Sequence, residues 1–257
     1  MTTRQMPAKA DEQHGIRPKG YRLPESTHLG RVRLQVADLE RSLAFYEKVL
    51  GMRVIRRTTD SVSLGPHGEN REIVHLRHLR SARPVPKRGL LGLYHFAILL
   101  PDRASLGRFV AHLAEIGVYA GMSDHFVSEA IYLTDPDGLG IEVYADRPRD
   151  AWRYDERQLH MTTNHLDVDD LVSSARGERW TGMPPGTVLG HVHLYVDDIN
   201  KAGRSTTKRW DSTKSCGATP ARCSCRPVAI TIISERIPGP AARRRRRTRM
   251  RVCSSGR

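Results

Sequence analysis

Near the start of the chain, apolar residues first recur at every second position and then at every third or fourth position. From Thr27 to Val36 apolar and polar residues alternate, which predicts a strand with one buried face. Asp38 then offers a helix N-cap, the following apolar residues recur at helical spacing, and Gly51 ends the helix. Three short strands are predicted next, at residues 53–57, 61–64 and 72–79. The pattern therefore predicts a β-α-β-β-β module.

The same order returns further along the chain. The predicted elements are a strand at residues 93–100, a helix at 104–116, and strands at 126–133 and 140–145. The last two strands are joined by the run Asp-Pro-Asp-Gly, which is typical of a tight turn. Residues 148–187 form a charged connector with Pro and Gly, and a third module starts at Val188 and stops after Ala202.

One position of the repeated first strand carries a metal-binding residue type. The three strands read LGRVRLQV, LYHFAILL and LGHVHLYV, and their equivalent positions are Arg31, His95 and His191. A repeat of this kind sets the fold, because each copy is one structural unit. Histidine at a fixed inward position of a repeated strand suggests a metal site built by duplicated modules.

The net charge of +14 is concentrated at the C-terminal end. Residues 205–257 contain 14 of the 42 Lys and Arg residues but 2 of the 28 Asp and Glu residues. The preceding body is nearly neutral, and the tail has Trp210 as its single aromatic residue. We therefore expect no specific nucleic-acid partner, although a basic arm that binds nucleic acid or an anionic surface is the rival interpretation.

Cysteine and histidine are also divided between body and tail. All four Cys lie after residue 205 and all twelve His lie before it. A body without cysteine fits a reducing cytoplasm and excludes a disulfide framework. No apolar run is long enough to cross a membrane, and no N-terminal signal peptide is evident. The expected location is the cytoplasm.

Three motifs carry a family resemblance. VADLERSLAFYEKVLGM, SDHFVSEAIYLTDPDGLGIEVYADRP and LGHVHLYVDD resemble the vicinal oxygen chelate superfamily of glyoxalases, bleomycin-resistance proteins and extradiol dioxygenases. The likeness covers about residues 27–204 and is strongest to the catechol-2,3-dioxygenase-like branch. It implies an α+β fold in which paired βαβββ modules form a cupped sheet around a divalent metal. Residues 27–147 would form one such domain, and residues 188–204 the start of a second, truncated one.

The resemblance also implies a set of metal ligands. His95 matches a first-strand ligand, Glu142 a last-strand carboxylate, and His75 the comparable position of the first module, where Arg31 replaces the first-strand ligand. Two His and one carboxylate suit Fe(II) with open positions, and Mn(II) or another divalent metal is the alternative. His191 matches the first ligand of the C-terminal module pair, and we expect its partners there to be lost.

Other polar residues are assigned by their neighbours. His125 follows Ser-Asp and is either a catalytic acid/base or a loop hydrogen bonder, and His193 shares the face of His191 and would support catalysis. Tyr132 and Tyr144 are expected in the core or at its rim. The connector residues His160 and His165 are expected to be exposed.

The sequence after residue 204 departs from the family pattern. Back-translated with permitted codons and shifted by one base, it reads FYHEALGF and then GGYHHH, which is what the family pattern would continue with. We therefore predict a frameshift, and a disordered basic tail at residues 205–257. Residues 1–26 are likewise predicted to be a disordered extension.

The function implied by the resemblance is extradiol cleavage of a catechol-type ring. The partners would be a small aromatic diol and O₂, with a homo-oligomer as a further expectation. Loss of the C-terminal domain would impair the activity. The alternatives are a glyoxalase-like metal-dependent lyase or isomerase, and a non-catalytic small-molecule binding module.

Overall fold

The first predicted module is one sheet with a helix. The computed structural model describes residues 28–85, 91–155, 158–198, 201–202 and 228–233, so the predicted extension at residues 1–26 lies outside it. The module consists of β1 (Val32–Val36), α1 (Leu39–Lys48), β2 (Arg53–Arg57), β3 (Ser61–Gly65) and β4 (Val74–His78), with the sheet order β1-β4-β3-β2.

Local signals place these elements. Alternate residues of β1 are buried and exposed, as the period-two pattern predicts. The Asp38 side chain accepts a hydrogen bond from the Arg41 amide at 3.0 Å, which confirms the N-cap of α1. Gly51, just after the helix, has a φ of +66°, a conformation that favours glycine.

The second module has the same order of strands and helix as the first. It consists of β5 (Gly92–Leu99), α2 (Arg103–Glu115), β6 (Gly121–Asp124), β7 (Ser128–Thr134) and β8 (Gly140–Asp146). The predicted turn between β7 and β8 is confirmed, because the Gly138 amide donates to the Asp135 carbonyl oxygen at 2.9 Å. The β6 strand was not predicted, since its four residues show no apolar alternation.

The connector is more ordered than its composition suggested. It contains β9 (Tyr154–Asp155), β10 (Gln158–Leu159) and α3 (Val168–Ser173). Leu166, Leu171 and Met183 are buried in the main core. The segment therefore packs against the modules. None of the helices in the described ranges is long and apolar enough to span a membrane.

The second module pairs with the third through one strand of each, and the sequence-based domain boundaries stay a prediction. β11 (Val188–Val196) lies antiparallel to β5, and the sheet order is β12-β11-β5-β8-β7-β6. Among the described residues β1 pairs only with β4. The outermost strand β12 (Val228–Ile233) belongs to the predicted disordered tail. Its run of β-branched residues fits a strand, and the rest of the tail lies outside the described residues.

The first module packs against the Asp-Pro-Asp-Gly turn of the second. The Tyr46 hydroxyl donates to the Asp135 carboxylate at 3.2 Å, and the Ala37 amide donates to Asp137 at 2.9 Å. Arg41 forms an ion pair with Asp137. Tyr46 itself is fully buried in the core that both modules share. The turn therefore orients the two sheets as well as joining two strands.

Candidate metal centre

Three buried side chains from three strands converge on one point. The His95 Nε2 atom lies 3.0 Å from Glu142 Oε2, and the His191 Nε2 atom lies 3.1 Å from the same oxygen. The two Nε2 atoms are 3.4 Å apart. Within the described part of the chain these residues form the one group of three or more potential metal ligands with this spacing.

The strand registers explain the convergence. In the parallel pair, β5 sets His95 beside Gly140 and Ala97 beside Glu142. In the antiparallel pair, β11 sets His191 beside Ala97. A side chain at Gly140 would meet the Tyr94 carbonyl oxygen at 2.8 Å, so glycine allows the close approach. His191 finds its neighbours in the second module, because β11 pairs with β5. That its partners in the C-terminal module pair are lost stays a prediction.

A β-bulge fixes the orientation of His191. The β5–β11 register shifts between Leu189 and His191, which leaves Gly190 as an extra residue. A Cβ atom at Gly190 would overlap the Tyr144 hydroxyl. The Tyr144 ring packs on the His191 ring with centroids 5.1 Å apart. Tyr144 is buried, as the core interpretation predicted.

The carboxyl group of the cluster and the nearby His193 have shifted pKa values. Burial alone would raise the pKa of Glu142, but hydrogen bonds from His191 and His95 outweigh it and lower that pKa to about 2. Burial, together with the neighbouring His95 and His191, lowers the pKa of His193 to about 4. At neutral pH Glu142 is therefore a carboxylate and His193 a neutral base.

The spacing of the three atoms fits a first-row divalent metal. Two ligands bound at about 2.1 Å lie about 3.0 Å apart at a right angle and about 3.4 Å apart at the tetrahedral angle. The observed separations of 3.0, 3.1 and 3.4 Å fall in this range. Two imidazole nitrogens and one carboxylate oxygen would thus occupy one side of an ion and leave the other side open.

His125 contacts the cluster through a tyrosine. Its Nδ1 atom lies 2.6 Å from the Thr162 carbonyl oxygen, which only accepts, so Nδ1 carries the proton. In a neutral ring Nε2 then accepts a hydrogen bond from the Tyr132 hydroxyl at 2.7 Å. Burial, followed by the charge of Glu142, raises the pKa of Tyr132. The hydroxyl therefore stays protonated beside the cluster.

The position of the turn between β7 and β8 predicts where Tyr132 lies. The tight turn pairs residues equidistant from Asp137, so Tyr132 lies directly opposite Glu142 in the β7–β8 register. Tyr132 was predicted as core or rim, and it is half-buried. The hairpin symmetry alone would have placed it beside the proposed carboxylate ligand.

A buried ion-pair group holds the loop that carries His125. Glu129, 2% exposed, accepts hydrogen bonds from Arg103 at 2.6 and 2.9 Å and from Arg147 at 3.2 Å. Arg147 also donates to Asp124 at 2.7 Å, next to His125. Arg103 reaches Asp170 in α3. The connector is thus tied to the strand that presents Tyr132.

The structure does not bring His75 to this cluster. It lies on β4 of the other sheet, where its Nδ1 atom is 3.0 Å from the Ser63 hydroxyl. Burial and then the positive charge of Arg31 lower the pKa of His75. Arg31 forms an ion pair with Glu72. His193, by contrast, lies at the cluster, with its ring centroid 4.7 Å from that of His95.

Two comparisons show which known proteins this chain resembles in sequence. Residues 28–143 match the family model "Glyoxalase/Bleomycin resistance protein/Dioxygenase superfamily". The catechol-2,3-dioxygenase of Bacillus subtilis (strain 168) is 48% identical over 179 residues, which are 69% of this chain and 62% of that relative. The chain therefore spans less than two thirds of the length of this relative.

Two solved structures illustrate more distant similarity. A glyoxalase/dioxygenase from Nostoc punctiforme is 19% identical with a TM-score of 0.42, over 51% of this chain and 99% of that chain. The cppA protein from Streptococcus pneumoniae TIGR4 is 12% identical with a TM-score of 0.44, over 62% of this chain and 58% of that chain.

Proposed function

Because the chain belongs, through residues 28–143, to the glyoxalase/bleomycin resistance protein/dioxygenase superfamily, we propose that it is an extradiol-type dioxygenase. Its substrate would be a catechol-type aromatic diol, cleaved beside its hydroxyls with O₂. His95, Glu142 and His191 would hold the metal. Fe(II) is the proposed ion, and Mn(II) or another divalent ion is the alternative. The observation that carries this proposal is the convergence of their three ligand atoms within 3.4 Å.

The metal and the protein residues would have separate tasks. A bound Fe(II) would supply the redox chemistry that joins O₂ to an aromatic diol. The buried, ionised Glu142 would offset the positive charge of the metal. The neutral His193 offers a lone pair beside His95, where it can accept a hydrogen bond from a substrate hydroxyl. His95 and His191 receive fixed positions from the paired strands β5 and β11.

Proton handling would belong to His125 and Tyr132. The Tyr132 hydroxyl donates to His125 Nε2, so a proton that reaches the tyrosine oxygen passes to the imidazole. The Thr162 carbonyl oxygen then stabilises the charged ring at Nδ1. Catechol must lose hydroxyl protons when it binds a metal. This pair would accept one of them and return it to the product.

The C-terminal part of the chain enters the proposal only indirectly. The three proposed ligands all precede residue 192, so none of them lies in the tail. We further propose that the reading frame shifts after residue 204, and we expect the version with the restored reading frame to cleave catechol faster. The additional sequence would cover the open side of the cluster and exclude water from it.

Metal uptake followed by oxygen consumption tests the proposal. The purified chain, loaded with Fe(II) without air, should bind one metal and consume O₂ when catechol is added. The Glu142→Gln variant should lose both properties, and Glu178→Gln, an exposed partner of Arg108, should lose neither. Turnover of a hemithioacetal without O₂ consumption would favour the glyoxalase-like alternative. Absence of metal binding would favour a non-catalytic binding module.

A further inference from the structure

A second β-bulge changes the direction of a tyrosine beside the cluster. The β5–β11 register pairs His193 with His95 and then Leu194 with Leu93, so Tyr94 is the extra residue. Successive residues of a regular strand point to opposite faces, and Tyr94 would then point away from His95. Its ring instead lies 5.1 Å from the His95 ring and 5.2 Å from the His193 ring. The bulge therefore places both residues on the cluster side.

Tyr94 forms an aromatic wall with Tyr195. The two ring centroids are 4.6 Å apart, and the ring planes are tilted by 41°. Tyr94 is nevertheless 43% exposed, although its sequence neighbour His95 is buried. The wall thus borders the proposed metal ligands on one side and is open to a ligand on the other.

We propose that Tyr94, supported by Tyr195, recognises the flat ring of the substrate and selects aromatic over saturated diols. This inference rests on the proposed function, because the metal cluster would bind the two hydroxyls. Aromatic rings attract one another in offset or edge-to-face arrangements with centroids about 4.5–7 Å apart. A saturated ring has no π-system and gains less from the same contact. Tyr94 is therefore a specificity-determining residue that touches the substrate ring.

Equilibrium binding to the metal-loaded full chain tests this role without turnover. The aromatic probe is 4-nitrocatechol, whose visible absorption shifts when it binds a metal, and the saturated probe is cis-1,2-cyclohexanediol. Tyr94→Leu should weaken 4-nitrocatechol binding about three- to tenfold, the range of a lost aromatic pair. Tyr94→Phe keeps the ring and should change the affinity by less than about twofold. Cyclohexanediol binding should be equal in all three proteins.

The controls separate this inference from the proposed function. Tyr119→Leu removes a tyrosine that is 95% exposed and should leave both affinities unchanged. Equal 4-nitrocatechol affinity in wild type and Tyr94→Leu, or equal losses for both probes, would overturn the inference while metal binding still stands. If the wild-type chain binds neither metal nor 4-nitrocatechol, the proposed function fails and the inference fails with it.

Discussion

The first and second modules place different chemistry at equivalent positions. The Ser63–His75 pair in the first sheet corresponds by register to the Tyr132–Glu142 pair in the second. Arg31 occupies the position of His95 in the repeat. The first module therefore offers an arginine, a histidine and a serine where the second offers a histidine, a carboxylate and a tyrosine.

This difference shows that the shared backbone does not by itself make a metal site. In the first module Arg31 pairs with Glu72, and nearby arginines lower the pKa of His75 after burial has already done so. Such a positive environment opposes a cation. In the second module the carboxylate Glu142 favours one, and β11 adds His191 as a third candidate ligand. The pairing with another module is thus as decisive as the residue types.

The largest expected effect is on metal affinity. Glu142→Gln removes the charged oxygen and should weaken Fe(II) binding more than about 100-fold, since affinity depends on all converging ligands. His75→Gln changes the equivalent position of the first module and should leave the affinity unchanged. Anaerobic titration of both variants with Fe(II) measures this. Equal losses in the two variants would mean that the cluster is not the metal site.

The next largest effect is on the free energy of unfolding. Each module contains a glutamate that forms ion pairs with two arginines. Glu129 is buried between Arg103 and Arg147, whereas Glu72 is more exposed between Arg31 and Arg56. Glu129→Gln should lower the free energy of unfolding by about 2–3 kcal/mol, because it removes the buried charge between two arginines that keep only their more exposed partners Asp170 and Asp124. Glu72→Gln should cost less than about 1 kcal/mol.

Urea unfolding of the metal-free proteins compares these two variants. Unfolding must be followed by a signal from both modules, since each carboxylate stabilises its own sheet. A Glu72→Gln loss as large as that of Glu129→Gln would contradict the assigned difference in burial.

A glycine pair gives a third test. Gly190 and Gly30 occupy equivalent repeat positions, but a Cβ atom would overlap Tyr144 at Gly190 and meet nothing within 4 Å at Gly30. Gly190→Ala should lower stability by about 1–3 kcal/mol, as overpacking does, and should weaken metal binding by moving His191. Gly30→Ala should change neither. Thermal unfolding and Fe(II) titration of both variants test this. Normal metal affinity in Gly190→Ala would mean that the bulge does not determine the orientation of His191.

The smallest expected effect is a pH dependence in the first module. The pKa of His75 is lowered in the folded protein, so the folded state binds that proton less well than the unfolded state. His75 therefore lowers the stability of the folded protein when the pH falls below the ordinary pKa of histidine. At pH 8 the side chain is neutral in both states and has no such effect. His75→Gln should be more stable than wild type at pH 5, by less than about 1 kcal/mol, and equal at pH 8. An identical difference at both pH values would exclude this titration.

Much of each module could be predicted from the sequence. The Asp38 cap, the ends of α1 and α2, and the turn before Leu139 were predicted because they depend on residues a few positions apart. The repeated strand pattern identified His95, and the family resemblance added Glu142. Tyr94 was not predicted, because a bulge moved it to the face opposite to the one that strict alternation assigns.

The sequence by itself determined the repeated modules, their caps and the residue types at the repeated positions. Tertiary structure decided which modules pair, and therefore that His191 joins His95 and Glu142 while His75 remains in the other sheet. The physical reason is the range of the interactions. Periodicity and capping act over a few residues, whereas the choice of a strand partner depends on the fit of apolar surfaces far apart in the chain.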